Sequence, residues 1–102
     1  MNKFTDTVKV LTYSLADGLY TLEHEVTVTN DAADVADGDV KVAWFCHRTC
    51  KLMEEYFEAE EMPTYAEIAE MVRVSEQDEH AYVVDDFDAA IAEIEADLVD
   101  VF

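Results

Sequence analysis

Between Tyr20 and Thr29 the chain alternates without a fault. Tyr20, Leu22, His24, Val26 and Val28 are interleaved with Thr21, Glu23, Glu25, Thr27 and Thr29. A period of two sends the two sets to opposite faces of an extended strand. Such a strand belongs in a sheet with one packed face and one wet face. Residues 4–15 read as its partner. There Val8 and Val10 lie on one side and Leu11, Tyr13 and Leu15 on the other, a change of parity that suits a bulge or a twisted edge. Ala16, Asp17 and Gly18 supply the turn, with Gly18 free to take positive φ.

Downstream the period changes. Residues 30–38 form an acidic connection. From about Asp39 to Glu61, Ala43, Cys46, Cys50, Met53 and Phe57 recur at helical spacing, with Lys51, Glu54, Glu55, Glu58 and Glu61 largely opposite, so a helix is expected. Pro63 separates it from a second helix, in which Thr64 and Glu67 make a capping box and Tyr65, Ile68, Ala69 and Val72 an apolar stripe. Residues 75–79 are a polar break. Ala81–Val84 reads as a third short strand, and Asp85 or Asp86 caps a last helix whose inward face is Phe87, Ala90, Ile91, Ile94, Leu98 and Phe102. The expected fold is a single α+β domain spanning residues 1–102. It has a small antiparallel sheet, made of the N-terminal hairpin plus a third strand, with three helices packed on one face in the order ββααβα. The apolar chain end of Leu98, Val101 and Phe102 is expected to be docked or to lie in a homodimer contact.

Charge is the strongest compositional signal. There are 25 Asp plus Glu against six Lys plus Arg, a net charge of −19. Hydrophobic residues at 51% and aromatics at 11% nevertheless give the chain enough burial capacity to escape disorder. The six cations are scattered, so no basic patch is expected, and neither direct nucleic-acid binding nor attraction to an anionic membrane follows. The longest wholly apolar run, Val42 to Cys46, is far too short to span a bilayer. The N-terminus lacks the apolar stretch of a signal peptide, and two cysteines make no disulfide framework. These features point to a soluble protein of a reducing cytoplasm.

No chemistry-bearing motif survives inspection. Phe45-Cys46-His47-Arg48-Thr49-Cys50 has a metal-like look, but structural zinc takes four ligands from separated pairs, and only His24 and His80 remain elsewhere. Both cysteines fit the apolar stripe of the expected helix, so core packing is the reading adopted. The loop of Asp31, Asp34, Asp37, Gly38 and Asp39 fails as an EF-hand, because placing Gly38 at the sixth position puts Trp44 where the bidentate Glu belongs. Residues 63–75 resemble the first helix and turn of bacterial helix-turn-helix regulators. They depart from that pattern at Arg73, where such turns carry Gly, and Glu76, Asp78 and Glu79 would repel phosphate. Cys46 and His47 are adjacent and diverge on a helix, and isolated glycines cannot cradle a phosphate. No catalytic set, cofactor or metal is expected.

In composition and size the chain resembles the DNA-mimic proteins of phages and mobile elements, among them antirestriction and some anti-CRISPR proteins. At one charge per ~1.7 Å of duplex, its net charge matches about 32 Å of DNA. That is close to the ~33 Å width of a compact domain this long. The resemblance implies an inhibitor that occupies the DNA-binding groove of a basic host or defence protein. The expected contact face is Glu54, Glu55, Glu58 and Glu61, supported by Glu67, Glu70, Asp85, Asp86 and Asp88. Two other readings stand beside it: an acidic regulatory module that binds a basic protein without mimicking DNA, and a halophile protein whose charge is a salt adaptation.

Overall fold

The computed structural model describes residues 2–101, with side chains described through residue 98. The order of elements is β1 (Thr5–Ser14), β2 (Tyr20–Thr29), β3 (Asp39–Cys46), β4 (Lys51–Glu58), a 3-10 turn at Ala59–Glu61, α1 (Tyr65–Glu76), β5 (His80–Val83) and α2 (Phe87–Val101). The five strands form one antiparallel sheet in the order β4-β3-β2-β1-β5.

This corrects the expected ββααβα order with its three-stranded sheet and three helices. The segment read as a helix from Asp39 to Glu61 is a second β-hairpin followed by the 3-10 turn, and two α-helices remain among the described residues. The reason lies in Val40, Val42, Trp44 and Cys46. They alternate with Lys41, Ala43 and Phe45, and their side chains are buried at every second position. Val and Trp favour a pleated, half-buried surface. Once β2 offers an open edge, with Val28 paired to Val42, that alternation outweighs the weaker helical match through Ala43, Met53 and Phe57.

The first hairpin is as expected, with Gly18 at φ +92°. Its register runs unbroken from Thr5↔Thr29 to Ser14↔Tyr20, so no bulge explains the double parity of β1. Both faces of β1 are covered instead. Val8 and Val10 join Val26, Val28, Val40, Val42 and Trp44 beneath Ile68, Ala69 and Val72 of α1, and these residues form the core. Leu11 and Tyr13 point the other way and are buried beside Tyr82, Ala90 and Ile94, where α2 lies. The helices therefore sit on opposite faces of the sheet, not on one.

α1 begins as expected. The Thr64 hydroxyl accepts from the Glu67 N–H at 3.2 Å, and the Glu67 carboxylate accepts from the Thr64 N–H at 3.1 Å. The helix ends at Gln77, in the left-handed region at φ 58°, whose N–H turns back to Val74 O. The third strand of the sequence reading appears as β5, paired with β1 through Thr12↔Ala81. Asp86 caps α2, accepting from the Ala89 N–H at 3.0 Å. The expected inward residues Phe87, Ala90, Ile91, Ile94 and Leu98 are all half-buried. Phe102 and the side chain of Val101 lie outside the described residues. No helix is long and apolar enough to cross a membrane among the described residues.

The molecule is elongated, with principal extents of 52 × 25 × 19 Å and a radius of gyration of 15.2 Å, against about 13 Å for a compact chain of 100 residues.

Candidate metal centre and acidic face

β3 and β4 are joined by His47, Arg48, Thr49 and Cys50, a turn without Gly, Asn or Pro. Cys50 takes the left-handed conformation at φ 55°, which an L-residue adopts at a cost of roughly 1–2 kcal/mol. A distant side chain holds the turn in place. Glu76, the last residue of α1, accepts from the His47 N–H at 2.8 Å through Oε2 and from the Arg48 N–H at 2.9 Å through Oε1. The Cys46 thiol, with one proton to give, lies 3.3 Å from the Ser75 carbonyl oxygen and 3.4 Å from Oε1. The Glu76 side chain is wholly buried. Burial alone would raise its pKa, but the N–H bonds from His47 and Arg48 overcome this and hold it below 4.5. It is a buried carboxylate kept charged by the turn it organises.

His24 approaches the same carboxylate from β2. Its side chain is 1% exposed, and Nε2 stands 3.6 Å from Glu76 Oε2 and 3.0 Å from the Thr12 hydroxyl. Nδ1 is buried without a hydrogen-bond partner. Burial pushes the imidazole below its usual 6.5; the Glu76 charge opposes that shift and His47 adds to it. The exposed His47 ring stands edge-on to the His24 ring, with centroids 5.2 Å apart. One donor atom from each of His24, His47 and Glu76 falls within 4.8 Å of the others, and no other trio of such donors converges in this way among the described residues. Two clefts flank the trio. One of about 440 Å³ is lined by Glu23, His24, Glu25, Phe45, His47 and Phe87. The other, of about 190 Å³, is lined by Tyr20, Leu22, His47, Arg48, Glu76 and Asp78.

This site as a whole is not visible in the sequence, where Glu76 falls in a polar break and His47 in the expected helix. The visible signal was His24, a histidine inside an otherwise apolar and β-branched stripe. The cysteines also divide: Cys46 is buried and Cys50 exposed, so the expectation of two inward thiols holds for Cys46 alone.

The acidic residues expected to make one contact face do not share one. Glu54 and Glu58 point to the α2 side of β4, whereas Glu55 points to the α1 side, opposite Val42. Glu61 lies in the 3-10 turn. Glu67 is engaged in the capping box, and Glu70 forms an ion pair with Arg73, which donates from Nε at 2.8 Å. Asp85, Asp86 and Asp88 lie where β5 gives way to α2, with the Asp85 carbonyl accepting from Lys9 of β1 and the neighbouring Phe87 lining a cleft with Glu25 and Phe45.

What the fold does gather on the α2 side of the sheet is a mixed surface. Glu23 and Glu25 from β2 and Glu54 and Glu58 from β4 surround Phe45, Leu52 and Tyr56, which are exposed at 47%, 62% and 47%. α2 adds Asp88, Glu93, Glu95 and Asp97, all exposed. The Tyr56 hydroxyl donates its single proton to Asp34, with Glu54 also within reach, and Lys41 pairs with Asp34 at 3.0 Å. No protein-family model, no curated protein and no solved structure matches this chain.

Proposed function

We propose that the protein is an acidic binding module whose α2-side face docks on a Lys/Arg-lined surface of a partner protein and excludes nucleic acid from it. The observation that carries this reading is the make-up of that face, an aromatic and apolar patch of Phe45, Leu52 and Tyr56 ringed by carboxylates. Protein interfaces are commonly built with buried aromatic anchors inside a polar rim. The cations do little to neutralise the rim, because most are engaged locally. Lys9 donates to Asp85 O and stands over the Phe87 ring, Lys41 pairs with Asp34, Arg73 with Glu70, Lys3 with Asp31, and Arg48 donates to Ser75 O.

The elongated shape changes the comparison with DNA. A net charge of −19 along 52 Å is one charge per about 2.7 Å, sparser than the ~1.7 Å of duplex. Charge alone therefore does not copy the duplex, and the aromatic patch must supply part of the affinity. The test uses the purified complex with a partner. Added duplex DNA should displace the protein, and association should weaken steeply with salt, as in electrostatic steering. Reversal of Glu23, Glu25, Glu54 and Glu58 to Lys should slow association far more than it changes folding. If DNA and this protein sit on the partner together, an acidic module that does not compete with DNA takes the place of this reading.

A further inference from the structure

We propose that His24, His47 and Glu76 form a binding site for a transition-metal dication of the Zn2+ type. Donors about 2.1 Å from a shared tetrahedral ion stand about 3.4 Å from one another. His24 Nε2 and Glu76 Oε2 are already 3.6 Å apart. This pair is fixed by burial in the core, and the third donor belongs to the exposed His47, whose ring can turn on a backbone that Glu76 itself pins. Closing the 4.8 Å trio to bonding distances thus needs a side-chain rotation and no movement of the sheet.

The lone pairs permit it. Each carboxylate oxygen has two acceptor sites, and Oε2 accepts one hydrogen bond, from the His47 N–H, so one site is open toward His24. His24 Nε2 would exchange its Thr12 contact for the metal. Nδ1, the ring nitrogen without a partner in the metal-free protein, would keep the proton. Two imidazoles and one carboxylate select zinc and its neighbours over calcium or magnesium, which take oxygen cages. Three protein donors leave a coordination position for water, and the clefts on either side give it room.

A chain with 25 carboxylates gathers dications loosely over its whole surface, so the experiment must separate that background from a built site. Chelator-stripped protein is titrated with Zn2+ in a large excess of Mg2+, which occupies carboxylate-only sites. Histidine ring signals are followed by NMR and zinc content by elemental analysis. One zinc per chain should bind, shifting the rings of His24 and His47 and leaving that of His80 in place. His47→Ala, an exposed position, should keep the metal-free melting temperature and weaken zinc binding at least about tenfold, the scale seen even for supporting residues. His80→Ala should bind as the parent does. The proposal is overturned if excess Mg2+ abolishes zinc binding, if His47→Ala binds zinc unchanged, or if the His80 ring responds in place of His24 and His47.

Discussion

Glu76, at the end of α1, accepts hydrogen bonds from the backbone N–H groups of both His47 and Arg48, so a single helical carboxylate closes the turn of the second hairpin. The contact links residues far apart in the chain. It joins the covering helix to the sheet at the end remote from Thr64, and it makes the turn depend on tertiary structure.

Replacing Glu76 should therefore cost more than an ordinary surface change. Glu76→Ala leaves the part-buried His47 and Arg48 N–H groups without their acceptor, while the Cys46 thiol keeps the Ser75 carbonyl, and should lower stability by about 3 kcal/mol, as when one partner of a buried charged network is removed. Glu76→Gln keeps one carbonyl oxygen and should recover part of this. Urea unfolding of the three proteins ranks them, and an alanine variant as stable as the parent would mean that the turn holds itself.

Acid should destabilise the fold in two stages. His24 is depressed below 6.5 in the folded state, so the unfolded chain takes up its proton first and stability falls as pH drops below 6.5 toward the folded value. Glu76 is likewise depressed, and its contribution, present above 4.5, is lost as pH falls further through its folded value. Protonation of the many surface carboxylates works in the opposite sense by relieving repulsion. The measurement is therefore made at about 1 M salt, where the Debye length is ~3 Å. His24→Gln, if it folds, should flatten the upper stage alone.

At lower ionic strength repulsion should dominate. With a net charge of −19, raising salt from about 0.01 M to about 1 M shortens the Debye length from ~30 to ~3 Å, and the melting temperature should rise. A flat response would show that local pairs such as Lys41–Asp34 and Arg73–Glu70 already balance the surface.

The two thiols should react at very different rates. Cys50 is exposed and should be modified at once by a thiol reagent, whereas Cys46, 1% exposed, should wait for unfolding. Cys50→Gly should abolish the fast phase and stabilise the protein by up to about 1 kcal/mol, because glycine takes φ 55° without steric cost. Equal rates for both thiols would contradict the hairpin.

The capping box offers an independent check on α1. Thr64→Ala removes an acceptor for the Glu67 N–H and should cost about 1 kcal/mol, read from the denaturation midpoint.

Legibility in the sequence followed the range of the interactions. β1, β2, the start of α1 and the cap of α2 were readable because their causes are local: alternation in Tyr20–Thr29, Gly18, Thr64 with Glu67, and Asp86 before Phe87. The second hairpin was not, because its turn carries none of the usual residues and is held by Glu76. Its strand β4 also hides the period of two behind Glu54, Glu55 and Tyr56, all exposed on a sheet edge. The metal-type trio was illegible for the same reason. Its members come from β2, the β3–β4 turn and the end of α1, and only the paired hairpins bring His47 to His24.

The strand order also bears on synthesis. β1 to β4 emerge as two successive hairpins, but the helix that covers their valine face is completed only when Ile68, Ala69 and Val72 have been made. At ~5–20 residues per second the nascent chain carries that uncovered face for a few seconds. Aggregation during translation is the hazard of exposed β-branched strands, and flanking charges act as gatekeepers against it. The glutamates of β2 and β4 are already in place at that stage, so they protect the unfinished sheet before they have any other task.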